Sequence, residues 1–184
     1  NVNANVSYNK NEITELYNGI TEYVASDTGR MVAVGHPLGE FYLNRYAGVN
    51  PTNGDALWYT KDGEITTEYN ESDKVMLGKT HEAPWQGGFG TTLSWQGFSL
   101  SAQFTWVADR WMLNNDRVFQ ESNGLFSAYN QSKRMLYDRW KKPGDVTDIP
   151  RYGVTPQLDS RFLEDASFLR LKNLMLSYTF PQKW

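Results

Sequence analysis

Residues 98–107 read Phe98-Ser99-Leu100-Ser101-Ala102-Gln103-Phe104-Thr105-Trp106-Val107. Phe98, Leu100, Ala102, Phe104 and Trp106 take every second position, with Ser99, Ser101, Gln103 and Thr105 between them. Successive side chains of a strand point to opposite sides, so strict alternation predicts a strand with one apolar and one polar face. Directly upstream, Phe89, Thr91, Leu93 and Trp95 alternate with Gly88, Gly90, Thr92 and Ser94. Only Gln96-Gly97 separates the two runs, a length that predicts a tight hairpin with Gly97 at positive φ.

Two further runs share the pattern. Val2, Ala4, Val6 and Tyr8 alternate with Asn1, Asn3, Asn5 and Ser7, and Leu174, Leu176, Tyr178 and Phe180 alternate with Asn173, Met175, Ser177 and Thr179. Pro181 cannot donate to a ladder and is expected to close the last strand in a short turn through Lys183. Arg170 and Lys172 fall on the phase of Leu174, where their stems can snorkel to a membrane interface or their heads meet lipid headgroups, with a substrate role as the less favoured alternative. The predicted strands are 2–13, 87–95, 98–108 and 168–180.

Long polar connections, 14–85 and 109–166, lie between them. The first holds turn signals such as Asn53-Gly54-Asp55 and Asp62-Gly63, with short strands expected around Phe41–Tyr46 and Leu57–Thr60. The second holds one helical candidate, Ala128–Trp140, followed by Lys142-Pro143-Gly144. Compact soluble domains rarely carry irregular connections of this length.

The tight turns fall on one side of the inferred sheet and the long connections on the other, which is the layout of an outer-membrane β-barrel. Ten residues at about 3.3 Å each, tilted about 40°, rise about 25 Å, the height of the lipid-facing band. On this reading Phe98, Leu100, Phe104, Trp106, Leu174, Leu176, Tyr178 and Phe180 face lipid. Trp95, Phe98, Tyr178 and Phe180 mark the short-turn rim and Trp106 the other. The expected fold is all-β: a fragment of a transmembrane antiparallel barrel, with about four long strands, long extracellular loops and a short loop helix. Four strands do not close a barrel, since the smallest use about eight.

Composition narrows the function. The 184 residues carry 18 Lys+Arg against 21 Asp+Glu, a net charge of −3, which disfavours nucleic acid as a partner. No apolar run is long enough for a membrane-spanning helix. Without cysteine there is no disulfide, Cys-metal site or thiol chemistry. Aromatics reach 15%, more than a core of this size requires. The chain starts at Asn1 inside a strand, without an initiator Met, so a processed or truncated chain is expected.

No hydrolase elbow, P-loop or dinucleotide fingerprint is present, and no enzymatic role is expected. His36 and His81 have no ligand-spaced partner. Asp55, Asp62, Glu64, Asp145 and Asp148 flank turns; they lack a calcium-loop pattern and are expected to form those turns. No cofactor or metal is predicted. Trp58, Tyr59, Trp111 and Tyr129 lie outside the strands and are candidates for stacking on a ligand or partner, with loop packing as the competing role. Trp140 is expected to pack, its spacing from Leu136 and Tyr137 suiting one helix face.

The segment Phe168-Leu169-Arg170-Leu171-Lys172-Asn173, followed by Leu176-Ser177-Tyr178-Thr179, resembles the near-C-terminal signature of SusC/RagA-type, TonB-linked outer-membrane transporters of Bacteroidetes. The pieces Gly39-Glu40-Phe41-Tyr42, Ala47-Gly48-Val49-Asn50-Pro51, Gly54-Asp55, Gly87-Gly88-Phe89 and Arg139-Trp140 occur in the family's order, with Asn50 where Asp is more usual. The resemblance implies the wall and extracellular loops of an outer-membrane nutrient importer whose barrel has about 22 strands around a plug. It further implies a glycan or peptide substrate, a SusD-like surface lipoprotein closing over the loops, and coupling to TonB through N-terminal parts, the plug among them, that do not match this chain. The competing class is a soluble β-sandwich carbohydrate-binding module, in which Phe98, Leu100, Phe104, Leu174 and Leu176 would point into a closed core. A β-rich glycosidase stands third, its mark being a carboxylate pair in a cleft.

Overall fold

The computed structural model describes residues 1–25, 29–126 and 128–181. In chain order the first strands are β1 (Val2–Tyr8), β2 (Glu22–Ala25), β3 (Arg30–Ala33), β4 (Glu40–Leu43) and β5 (Arg45–Val49). Then come β6 (Ala56–Tyr59), β7 (Ile65–Thr66), β8 (Val75–Thr80), β9 (Trp85–Trp95) and β10 (Phe98–Ala108). The last are β11 (Trp111–Leu113), β12 (Leu163–Asp165) and β13 (Phe168–Tyr178). The α-helices are short: α1 (Asn115–Gln120) and α2 (Lys133–Tyr137). The protein is all-β in character. Its chain divides into two compact units: a sheet unit (1–11, 81–111 and 165–184) and a loop unit (12–80 and 112–164).

The sheet unit holds one open antiparallel sheet in the order β1-β9-β10-β13. Gln96 and Gly97, at φ 46° and 88°, join β9 to β10. Both values are positive, as a two-residue turn matching the strand twist requires. The site also needs an absent side chain, because a Cβ on Gly97 would lie 2.9 Å from the Tyr178 ring.

Strand ends differ from the sequence-based bounds for a local reason in each case. The first strand stops at Tyr8, well short of residue 13. Tyr8 pairs with Trp85, and Pro84 behind it has no N–H with which to extend the ladder. Trp85 opens β9 two residues earlier than expected and is also paired with Ala108. The last strand ends at Tyr178, whose partner Phe98 begins β10; the Thr179 N–H then turns to the Gly97 carbonyl at 2.8 Å. The expected turn through Lys183 lies outside the described residues.

The loop unit contains two small sheets, β2-β3-β4-β8 and β5-β6-β7. The single strand expected over 41–46 is broken at Asn44, which is fully buried. There the Asn44 amide donates to the Asn70 carbonyl at 2.7 Å, and its own carbonyl accepts from Ser160 N–H at 3.0 Å, so the chain leaves one sheet and enters the other. Phe162, Leu43 and Ile149 are the most deeply buried apolar side chains of this unit. The helix expected over 128–140 is reduced to α2, because Ser132 caps it, its hydroxyl accepting from Arg134 N–H, and everything before lies outside the cap. The sequence reading missed α1, whose N-cap Asn114 accepts from Arg117 N–H at 3.1 Å.

Candidate functional site

Directly opposed residues of an antiparallel ladder share a face, so the register sorts every side chain of the large sheet. Phe98, Leu100, Phe104 and Trp106 lie opposite Trp95, Leu93, Phe89 and Gly87 on one side. On the other side they meet Tyr178, Leu176, Leu171 and Leu169. Leu174 joins the same face opposite Ala102, and Val2, Val6 and Tyr8 continue it onto β1. Asn3, Asn5, Gln103, Thr105, Asn173 and Ser177 belong to the opposite, polar face.

The apolar face is uncovered: Leu93, Leu174 and Leu176 are exposed, Leu176 at 69%. A sandwich module would bury these positions in a core. Aromatic rings gather at both ends of the face. At the hairpin end Phe98 packs on Tyr178 at 4.5 Å, and Phe180, just beyond β13, sits edge-on to Tyr178 at 5.0 Å. At the other end Tyr8 packs on Trp85 at 4.4 Å. The Trp106 indole lies over Gly87, where a Cβ would come within 2.9 Å of it. Phe89 and Phe104 stack at 4.9 Å between the ends.

One expectation about this face needs correction. The ladder pairs Gln103 with Asn173 but Phe104 with Leu171, so Lys172 is an extra residue, a β-bulge. Below it the phase reverses. Leu171 and Leu169 join the apolar face, and Arg170, expected beside Leu174, pairs with Thr105 on the polar face. The signal was present in the spacing, since Leu171 and Leu174 are three residues apart where strict alternation allows two or four. Trp85 was missed because it precedes the glycine-rich run, although it is in phase with Phe89.

The loop aromatics separate. Trp58 is 5% exposed, and its Nε1–H donates to the Asp159 carboxylate at 2.8 Å. It is a core residue and offers no ligand surface, because the edges of Tyr46 and Tyr69 close on its ring. Tyr59 is half-buried under the Arg45 guanidinium at 5.4 Å. Trp111 is half-buried, its Nε1–H donating to Asp109 at 3.1 Å. Only Tyr129 stands open, 60% exposed, grouped with Phe119 and Phe126. With Asp116, Phe119, Gln120 and Asn130 it lines a cavity of about 430 Å³. Trp140 packs loop on loop as expected, though beyond the end of α2: its ring covers Gly54 (φ 78°), where a Cβ would lie 2.4 Å away, and Nε1–H reaches the Pro51 carbonyl at 3.2 Å.

The loop unit holds a network of ion pairs around Glu121. Glu121, 1% exposed, receives Arg117 through Nε and Nη2 at 3.2 and 3.1 Å and Arg134 through Nη1 at 2.8 Å. Arg134 also holds both Asp148 oxygens at 2.7 Å, and Arg117 holds Glu164 at 2.6 Å. The hydrogen bonds from Arg117, then Asn114, hold the Glu164 carboxyl below its usual range. Burial pushes the Asp159 carboxyl up, against the pull of Trp58 and the Arg161 N–H. Of the turn carboxylates, Asp145 forms its turn, accepting the Lys141 and Lys142 N–H groups at 3.0 Å, which lowers its pKa, whereas Asp148 is taken up by Arg134. Asp55 meets Arg151 at 2.9 Å. His36 Nδ1 lies 2.9 Å from the buried Glu40. Among the described residues no cluster of three His, Asp or Glu side chains could hold a metal ion.

No family model matches the chain. It is 25% identical to TonB-dependent receptor P3 of Formosa agariphila, over 98% of this chain and 20% of that protein. TonB-dependent receptor P26 of the same organism is 31% identical, over 65% of this chain and 12% of its own length. Among solved structures, the RagAB peptide transporter superposes with a TM-score of 0.90 at 38% identity, over 98% of this chain and 20% of that one. The RagAB peptide importer in its open-open state gives 0.86 at 39% identity over the same shares. The chain therefore spans about a fifth of the length of the first of these relatives. They are receptors and transporters, not enzymes.

Proposed function

On the premise that this chain is related to the SusC/RagA-type TonB-linked outer-membrane transporters over nearly its whole length, we propose that it forms barrel wall and extracellular loops of an outer-membrane nutrient importer. The observation that carries the proposal is the open sheet with a continuous uncovered apolar face, aromatics at both ends and a polar reverse side. In water such a face is a liability; against lipid it is the favourable surface. The eleven residues of β10, tilted as barrel strands are, cross a band of about 25 Å.

On this reading the long connections, which leave the sheet after Tyr8 and Ala108, face the cell exterior. Kinship with a peptide importer favours peptide over glycan as the substrate. A SusD-like surface lipoprotein is the proposed partner over the loops. Tyr129 and the cavity beside it offer it, or the substrate, an aromatic surface. Energy from TonB would enter through other parts of the full-length protein.

The test places single cysteines in the full-length protein at Leu100 and Leu176, then at Ser101 and Ser177, each carrying a spin label. Labels at Leu100 and Leu176 are expected to collide with membrane-dissolved oxygen, and those at Ser101 and Ser177 with a water-soluble nickel chelate. Protection of the leucine sites from both reagents indicates a closed core and overturns the proposal.

A further inference from the structure

The polar face of the large sheet is almost free of charge. Among the side chains that the register places there, Arg170 alone is ionised. It owes that position to the bulge at Lys172, without which it would stand on the apolar face. Its guanidinium lies over the Phe168 ring, 4.7 Å from the centroid, on the same face. Stacking on a ring restrains a guanidinium without using its N–H donors.

No described carboxylate pairs with Arg170, and the Thr105 hydroxyl directly opposite accepts no hydrogen bond from it. Arg117, Arg134 and Arg151 differ in being tied to acids. Arg170 is thus a charged fork, held in orientation, whose donors are unspent among the described residues. It sits two pairs from the Val107–Phe168 end of the ladder, where the long connections leave the sheet. A planar fork of this kind matches a carboxylate, which it binds through two parallel hydrogen bonds.

Resting on the reading that the polar face looks into the barrel, we propose that Arg170 is a carboxylate-binding point on the interior wall and engages a carboxylate of the incoming peptide. The bulge at Lys172 is then a functional device: it moves one cation from the lipid side to the passage and leaves Leu171 and Leu169 to complete the apolar face. Every linear peptide with a free C-terminus carries the group recognised, so the contact would be general across sequences.

Uptake by the full-length transporter tests this, using a fluorescent pentapeptide without acidic side chains, with its C-terminus either free or amidated. The wild type is expected to favour the free acid by about tenfold, of the size that charge-assisted hydrogen bonds give. Arg170→Gln should erase that preference while uptake of the amidated peptide persists, and Arg170→Lys should keep part of it. If Arg170→Gln leaves the preference intact, the proposal fails. If it lowers uptake of both peptides alike, Arg170 is held by a carboxylate of the protein itself, and the proposal fails in favour of that role. If surface-expressed wild type takes up neither peptide, the peptide-import reading falls and carries this proposal with it. A spin label at Arg170→Cys that meets oxygen, not the nickel chelate, overturns the inward facing alone.

Discussion

In the large sheet, aromatic side chains stand at the surface in two bands, while in the loop unit Trp58 and Phe162 are enclosed and their surroundings are paired. Both regions use Trp, Tyr and Phe; the difference lies in what their polar atoms and neighbours do. Trp58 spends its Nε1–H on a buried carboxylate, and Phe162 lies beneath two guanidinium groups, Arg117 at 5.6 Å and Arg161 at 4.4 Å. On the sheet, Trp95 and Leu176 meet nothing that encloses them. The loop unit carries its own core and pairs its buried Glu121 with Arg117 and Arg134. The sheet's apolar face has no such enclosure. Aromatic content alone therefore does not distinguish a ligand surface from a core or a membrane band; the partner of each ring does.

The contrast can be broken by substitution, and the largest effect belongs to the enclosed region. Phe162→Ala empties a site that is 0% exposed and should destabilise the loop unit by about 3–5 kcal/mol. Native-state hydrogen exchange of loop amides in the full-length protein measures it. Second is Leu176→Arg, expected to cost about 2–4 kcal/mol if the residue meets mid-bilayer lipid, against well under 1 kcal/mol for Ser177→Arg on the reverse face. Equal costs in reversible unfolding of the membrane-inserted protein would remove the difference between the faces. Third, Trp58→Phe keeps a ring but takes a donor from buried Asp159, and should cost about 1–3 kcal/mol in the same exchange experiment.

The smallest effect is a pH dependence. The Glu164 carboxyl is held below its usual range by Arg117 and Asn114. A lowered folded-state pKa means its contribution is present above the unfolded value, about 4.3, and is lost as pH falls through the folded one. Thermal unfolding of wild type should therefore weaken more than that of Glu164→Gln between about pH 5 and pH 2. Parallel curves for the two proteins would remove the linkage.

How far the site was legible follows from the range of the forces involved. The faces of β9 and β10 could be read directly, because a strand's alternation is local and the Gln96-Gly97 turn fixes which residues pair. The first strand's end could not, since it depends on Pro84, a neighbour in the ladder and not in the chain. The loop helix was overextended for a different reason: the Ser132 cap is a local signal, bonded only two residues on to the Arg134 N–H, and it was passed over. Trp58 stood between ligand stacking and loop packing because nothing near it in the chain announces Asp159, one hundred and one residues away.

By itself the sequence determined the period-two strands, the tight hairpin, the polar reverse face and the resemblance to a transporter family, all carried by residues within a few positions of one another. Only the tertiary structure decided that the phase reverses at Lys172, that Arg170 joins the polar face, and that Trp58 is closed in while Tyr129 stays open. A bulge exists only relative to a partner strand, and burial only relative to what the fold brings alongside; neither is a property of a residue and its neighbours in the chain.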